Sequence, residues 1–491
     1  MPDVNVGSAP AAAARPKESR RWLKSRVPKE QLYRLSPVRR PRTRLGSSDP
    51  ADRLREVLRS WWAWFAAAVV LELFGFRAGG AILAAAAFVL YHSATDSHPA
   101  CYALEPDFDT GSDEFRATMA GATGMPLVDG NRVEIYNNGD EFFPAMLDAI
   151  ESARLSVTME QYIFWNGQVG RRFAEAFAEK AREGVPVKLL LDAIGSATLG
   201  ADIFNILGAG GCQLAWFHPI HWYTLHRANQ RNHRKSLIVD GRIAFTGGSG
   251  LADHWLGSAE NEHEWRDMQI RVEGPAASAL QAGFAQNWLL TTGEIIGGYE
   301  FFPEPRSAGD VSIQTIQSSP SGAGAAGTMY LIAVQCARRF LYIANPYFIP
   351  DARVIDMLAG ACQRGVTVKL MLAGAHNDTW WARQNSVRLY GRLLEAGVEI
   401  YEYQPTMLHQ KTMVADGVWA TIGTTNFDNR SFALSEETNI CFQDPSLVEQ
   451  LGDAFLHDLA QCKQIDLAAW KRRGAWQQTK EMLASLIENQ V

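Results

Sequence analysis

Cysteine is scarce in this 491-residue chain, and it follows no pattern. Cys101, Cys212, Cys336, Cys362, Cys441 and Cys462 include no C-x-x-C pair and no zinc-type spacing. The usual signatures of a zinc site or a dithiol redox pair are therefore missing. The six read as buried free thiols, which fits a cytosol-facing body. A basic surface is missing too. Residues 1–59 hold 15 Lys/Arg against 6 Asp/Glu, a net +9, and the remainder carries 32 against 47, a net −15. An acidic body of that size argues against a nucleic-acid partner, which would favour positive charge. No apolar segment lies near enough to the start to be a cleaved signal peptide. No uninterrupted apolar run reaches the roughly 20 residues of a membrane span. What remains is a chain with 47% hydrophobic and 20% charged residues, globular in class and long enough for two or three domains.

The first 59 residues, rich in Pro, Ala, Arg and Ser, read as a disordered basic arm. Residues 60–92 then carry two short apolar runs, Trp61 to Phe76 and Ala81 to Tyr91, broken at Arg77-Ala78-Gly79-Gly80. Trp61, Trp62 and Trp64 at one end suggest an interfacial anchor. This is read as a membrane segment, either a helical hairpin or a single span, with the basic arm on the cytoplasmic side. A linker is expected over 93–130.

From about Asn131 the sequence repeats itself. "REGVPVKLLL" (Arg182 to Leu191) returns as "QRGVTVKLML" (Gln363 to Leu372), and "ARLSVTMEQYIF" (Ala153 to Phe164) as "ARRFLYIANPYF" (Ala337 to Phe348). Each copy alternates β-type runs with helical patterns and ends in a hairpin, which predicts an α/β fold. A repeat this long implies two halves about a pseudo-twofold axis, over 131–300 and 301–491, rather than a solenoid. Each half is expected to be a mixed, mostly parallel sheet flanked by helices. The Gly208/Gly210/Gly211 cluster reads as a helix C-terminal turn, not a nucleotide loop.

The chemistry sits in "NHRKSLIVDGRIAFTGGSG" (Asn232 to Gly250) and "LHQKTMVADGVWATIGTTN" (Leu408 to Asn426). In both, His-x-Lys precedes four residues, Asp-Gly, and a loop of small and hydroxylated residues. On a strand, positions i and i+2 share a face, so His233 points with Lys235 and His409 with Lys411. Asp240-Gly241 and Asp416-Gly417 read first as two-residue hairpin turns. Both aspartates are kept beside the catalytic candidates as members of the repeated motif. Gly247, Gly248, Ser249, Gly423, Thr424 and Asn426 are candidates for phosphate binding. Two lysines can neutralise a phosphodiester, one histidine can attack phosphorus, and the other can protonate the leaving oxygen. No metal or cofactor is called for. Each imidazole needs a partner for its second nitrogen, and Asp267 and Glu437, after the hairpins, are the acidic candidates. A single His-x-Lys means nothing; two in register are hard to explain as packing. His218, His221, His226, His254, His263, His92, His98, His376 and His457 carry no comparable signal.

On these residues the chain resembles the phospholipase D superfamily, with H-x-K-x4-D twice and a Gly-rich pair fourteen positions after each histidine. "NPYFIPD", "LLEAGVEIYEYQPTMLHQKTMVADG" and "GTTNFDNRSFALSEETN" resemble its bacterial cardiolipin synthase branch. The resemblance implies phosphatidyl transfer between two phosphatidylglycerol molecules through a phosphohistidine, at the bacterial inner membrane with the body on the cytoplasmic side. His233 would be the nucleophile and His409 the acid and base. Lys235, Lys411 and Asn426 would hold the phosphate, with Asp267 and Glu437 orienting the histidines. The pattern departs at Gly250, where that family usually carries Asn. A phospholipid hydrolase and a non-catalytic lipid-binding scaffold are the competing readings.

Overall fold

The computed structural model describes residues 61–75, 77–84, 104–219, 229–320 and 324–485. The basic arm, His92, His98, Cys101, His221 and His226 lie outside the described residues.

The first half contributes β1 (Leu127–Asn137), β2 (Val157–Gln161), β3 (Val187–Asp192), β4 (Gln213–Phe217), β5 (Ser236–Val239), β6 (Ile243–Gly247) and β7 (Met268–Glu273). The second contributes β8 (Val311–Ser318), β9 (Phe340–Asn345), β10 (Phe348–Ile349), β11 (Thr367–Ala373), β12 (Glu399–Tyr403), β13 (Thr412–Ala415), β14 (Trp419–Gly423), β15 (Phe427–Asp428), β16 (Glu437–Phe442) and β17 (Cys462–Gln464). They form one 15-stranded sheet, ordered β17-β12-β11-β9-β13-β14-β16-β8-β1-β7-β6-β5-β2-β3-β4, with β10 and β15 paired apart. Outward from the β8–β1 seam the two sides match strand for strand, with β17 an added edge strand on the second side. The repeat seen in sequence is thus a repeat in space, and the halves share a single sheet.

The expected parallel majority is not found. Within the large sheet only β2-β3-β4 and β9-β11-β12 run parallel. Its other neighbouring pairs are antiparallel. The cause is local. Asp240 (φ +55°) with Gly241 (φ +63°), and Asp416 (φ +57°) with Gly417 (φ +71°), put two left-handed residues in a row. That is a hairpin turn, and it forces β5-β6 and β13-β14 to run antiparallel.

Helices Gln168–Arg182 and Ala352–Gln363 cross between parallel strands. The second starts where Asp351 accepts hydrogen bonds from Arg353 N and Val354 N, satisfying two otherwise orphaned amides. Helix Ala201–Gly210 ends at Gly211 with φ +90°, so the glycine cluster is a helix terminus. Helix Asp113–Thr123 and the start of β1 fall inside the stretch expected as a linker. Phe115 and Met119 of that helix join the core of the second half. A separate buried cluster joins Ile270 and Val272 to Ile313, Ile422, Ile440 and Phe442, from both halves. At about 1.5–3 kcal/mol per buried side chain, these six alone rival the net stability of a domain, about 5–15 kcal/mol. The halves fold as partners.

At the N-terminal end, helix Trp61–Leu73 has 13 residues. At 1.5 Å per residue that is roughly 20 Å, short of a hydrocarbon core of about 30 Å. Among the described residues no helix is long and apolar enough to cross a membrane. The turn falls at Phe74-Gly75, where Gly75 takes φ +81°, and residues 77–84 are helical. The expected break at 77–80 is therefore displaced toward the N-terminus. Leu73 and Phe74 stand 80% and 76% exposed.

Candidate active site

The segment before β5 carries His233 and Lys235, and the segment before β13 carries His409 and Lys411. Neither segment finds its carboxylate in its own half. His233 Nδ1 lies 3.0 Å from both carboxylate oxygens of Glu437, and His409 Nδ1 lies 2.8 Å from Asp267 Oδ2. The exchange is built by the backbone. Isolated parallel bridges join Asn232 to Glu436 and Arg266 to Leu408. His233 N donates to Glu436 O (3.0 Å), and His409 N donates to Arg266 O (2.8 Å). Each His-x-Lys segment is thereby stitched to the residue preceding the other half's carboxylate.

Both carboxylates are fully buried, and both take further side-chain hydrogen bonds, Glu437 from Ser431 as well as Thr424. The Thr424 hydroxyl donates to Glu437 Oε2. The Trp255 indole Nε1–H donates to Asp267 Oδ2 at 2.8 Å, while Met268 N donates to Oδ1. With Nδ1 of each histidine turned to a carboxylate, Nε2 is the nitrogen left for chemistry. Lys411 Nζ lies against the His409 ring, 3.2 Å from Nε2. Lys235 Nζ bonds His233 O at 3.0 Å and sits over the Tyr162 ring. Tyr162 and Tyr347, one position out of register in the repeat, make T-shaped contacts with His233 and His409, at 5.2 and 6.3 Å between centroids.

Burial and crowding of positive charge set the proton affinities. Burial, then the two lysines, holds His233 well below its usual value. Burial and Lys411 bring His409 down to about 4. Burial and Lys411 lower Lys235 to about 7, and burial lowers Lys411 to about 8. The carboxylates part company. Burial pushes Glu437 up to about 7. At Asp267 burial also pushes upward, but the His409 hydrogen bond and the Lys411 charge outweigh it, and the group sits below its usual range. Such a site is short of negative charge. A phosphodiester anion placed here would be held by both ammoniums and would draw the imidazoles toward protonation.

A cavity of about 310 Å³ opens beside His233, lined among others by Tyr162, Tyr347, Asn426, Asp428 and Arg430. The Asn426 amide oxygen is buried there without a hydrogen-bond partner. The His233 side chain is 14% exposed and that of His409 6%.

The remaining expected site residues play other parts. Asp240 accepts from the amides of Arg154, Leu155 and Ser156, and Asp416 from those of Arg338, Arg339 and Phe340. These aspartates lock the hairpin tips to the starts of β2 and β9, a strand's length from the imidazoles. Their place among the catalytic groups is withdrawn, because their oxygens are committed to backbone. A Cβ at Gly247 or Gly423 would meet a backbone oxygen of the next strand at 2.3 Å, and one at Gly248 would meet Asp267 Oδ1 at 2.2 Å. These glycines make room for strand and carboxylate rather than for phosphate. The Ser249 hydroxyl is buried and accepts from Gln269 Nε2 at 2.6 Å. Trp255, Tyr162 and Tyr347 were not picked out by sequence reasoning. The aligned "QYIF" and "NPYF" each hold a tyrosine, one position apart, which was a signal for the pair; Trp255 has no counterpart in the other copy. Among the described residues no cluster of His, Cys, Asp and Glu suited to a metal ion occurs.

Two carboxylate-braced imidazoles and two lysines, assembled from two copies of one α/β unit, are the groups that phosphodiester exchange of the two-histidine type calls for. A family model described as "Cardiolipin synthase, PLD-like domain" matches residues 146–288 and 330–459, covering both copies. The chain belongs to this family. It is 32% identical over 368 residues to a cardiolipin synthase of Listeria monocytogenes serotype 4a, spanning 74% of this chain and 76% of the relative. It is 33% identical over 367 residues to one of Clostridium perfringens, spanning 73% and 76%. The cardiolipin synthase of Staphylococcus aureus strain Mu50 is 32% identical over 74% of each chain. Among solved structures, phosphatidylserine synthase of Haemophilus influenzae Rd KW20 superposes with a TM-score of 0.58 at 12% identity, covering 76% of this chain and 97% of that one. That likeness speaks for the fold.

Proposed function

We propose that the protein is a cardiolipin synthase that moves a phosphatidyl group from one phosphatidylglycerol to another, releasing glycerol. The observation that carries this reading is the exchanged pair His233–Glu437 and His409–Asp267 beside Lys235 and Lys411, in a chain of that family. His233, which lines the open cavity, uses Nε2 to attack phosphorus. The bond from phosphorus to the glycerol oxygen breaks, and His409 Nε2–H supplies the proton that glycerol leaves with. The terminal hydroxyl of a second phosphatidylglycerol then gives its proton to His409. Its oxygen bonds phosphorus as the P–N bond to His233 breaks. Two in-line displacements return the original configuration at phosphorus. Lys235 and Lys411 carry the charge of the phosphoryl oxygens, and Asn426 contacts them from the cavity wall.

Residues 60–92 are proposed to hold the body at the cytoplasmic face of the inner membrane, as supported by the exposed apolar side chains of Phe65, Leu73, Phe74 and Ile82. The test is incubation of the membrane-reconstituted protein with phosphatidylglycerol, followed by mass spectrometry of the products. Cardiolipin with glycerol supports the reading. Phosphatidic acid alone replaces it with hydrolysis, and no product from wild type and His409→Ala alike replaces it with a lipid-binding scaffold.

A further inference from the structure

The two copies of the site differ at one place, and the difference is filled. The second half has Asn426, and the matching position of the first half is Gly250. A Cβ at Gly250 would come within 2.8 Å of the Trp255 ring and of Ile163 Cβ. The indole therefore occupies the volume into which a side chain at 250 would point. It is fully buried, makes a T-shaped contact with His409 at 5.3 Å between centroids, and aims its one polar atom at Asp267.

The other carboxylate is braced differently. Glu437 takes side-chain hydrogen bonds from the hydroxyls of Thr424 and Ser431. The residue matching Thr424 is Gly248, which has no hydroxyl to offer and no room for one, since Asp267 Oδ1 lies 2.2 Å from where its Cβ would be. Asp267 would lack a side-chain donor other than His409 if position 255 were apolar. The turn that delivers the indole is itself tethered. The Asp253 carboxylate accepts from Gln168 N (3.0 Å) and Val169 N (2.9 Å), and Trp265 N donates to His254 O at 2.6 Å. A side chain fixed this firmly, with its N–H on a fully buried carboxylate, is more than filling.

We propose that Trp255 is a positioning residue: seated in the space that Gly250 leaves, its indole N–H fixes the Asp267 carboxylate that orients His409, as the Thr424 hydroxyl does for Glu437 and His233. The proposal rests on the catalytic reading above only in taking His409 to act in turnover.

The test separates the N–H from the volume. Trp255→Phe keeps a ring and drops the donor. Replacing Trp255 by benzothienylalanine keeps the bicyclic shape and puts sulfur where the N–H was. Both variants are assayed in the full-length reconstituted protein with phosphatidylglycerol, alongside thermal unfolding. A hydrogen bond to a charged group predicts a fall in kcat of about tenfold or more in both variants, with KM within twofold of wild type. The benzothienyl variant is expected to melt where wild type does. Wild-type kcat in the benzothienyl variant overturns the proposal and leaves Trp255 as packing. So does a loss carried wholly by KM. If Trp255→Phe does not fold, the isosteric variant decides alone. If wild type yields only phosphatidic acid, the transferase reading falls, while the same comparison of kcat values still decides the role of Trp255.

Discussion

Replacing Asp267 by Asn tests the exchanged pairing most directly, because the substitution lies in the first half and its effect is expected on the histidine of the second. Asp267 Oδ2 accepts from both His409 Nδ1–H and Trp255 Nε1–H, and Oδ1 accepts from Met268 N–H. A carboxylate faces three donors without conflict. An amide does not: with its oxygen toward Met268 it turns its NH2 on Trp255 and His409, and with its oxygen toward those two it turns its NH2 on the Met268 amide. Loss of one hydrogen bond to a charged group is worth about 1.5–3 kcal/mol, or roughly 10- to 150-fold in rate. An NH2 facing Nδ1 also favours the wrong tautomer, which in serine protease triads costs about 10⁴. Asp267→Asn is therefore expected to lower kcat by about 10²–10⁴. The fall should be selective by step. With a phosphatidyl diester of p-nitrophenol, departure of the first leaving group needs no acid. The nitrophenolate burst should survive in Asp267→Asn, the phosphoenzyme should accumulate, and turnover should stay slow. Glu437→Gln, which strips His233 of its brace, should lose the burst as well. Refutation would be an Asp267→Asn enzyme within threefold of wild type. A burst that survives in Glu437→Gln and fails in Asp267→Asn would interchange the two histidines' roles.

Asp416→Asn retains a residue that tolerates positive φ but weakens three amide contacts and the bond from Thr110. It should cost about 1–3 kcal/mol in denaturant unfolding while kcat stays within threefold, and Asp240→Asn should behave alike. Gly248→Ala drives a methyl group into Asp267; kcat should fall at least tenfold in the phosphatidylglycerol assay. Glu437, raised to about 7, keeps a proton in the folded state that the unfolded chain releases near 4.5. Its contribution to stability is therefore present below pH 4.5, lost as pH rises to about 7 and flat above, a change of roughly 3 kcal/mol. Thermal melts of wild type and Glu437→Gln should diverge across that window and run parallel above it.

What was legible in the sequence was whatever chemistry is local. His233 with Lys235 and His409 with Lys411 share a face by strand geometry alone, and Asp-Gly announced both hairpins. The same two dipeptides also implied antiparallel neighbours, a signal outweighed by the parallel expectation drawn from alternating strands and helices. Asp267 and Glu437 could be chosen as partners, but not matched to a histidine. That match depends on bridges between residues far apart in sequence, Asn232 with Glu436 and Arg266 with Leu408. Trp255 was hidden for a similar reason: its meaning comes from Gly250 and Gly248, and only packing brings the three together. The loop glycines looked like phosphate contacts because a small residue reads the same whether it clears space for a ligand or for a neighbouring carboxylate.

The exchange of carboxylates between the halves has an inheritance of its own. A duplicated gene segment ordinarily gains freedom to change, since one copy can keep the old task. Here neither copy has that freedom. A change at Glu437 is felt at His233, and a change at Asp267 is felt at His409, so each half selects on the other. Even Gly250 follows this rule: its space is filled by Trp255 of the same half, whose N–H holds Asp267 of that half, and the histidine so oriented belongs to the other.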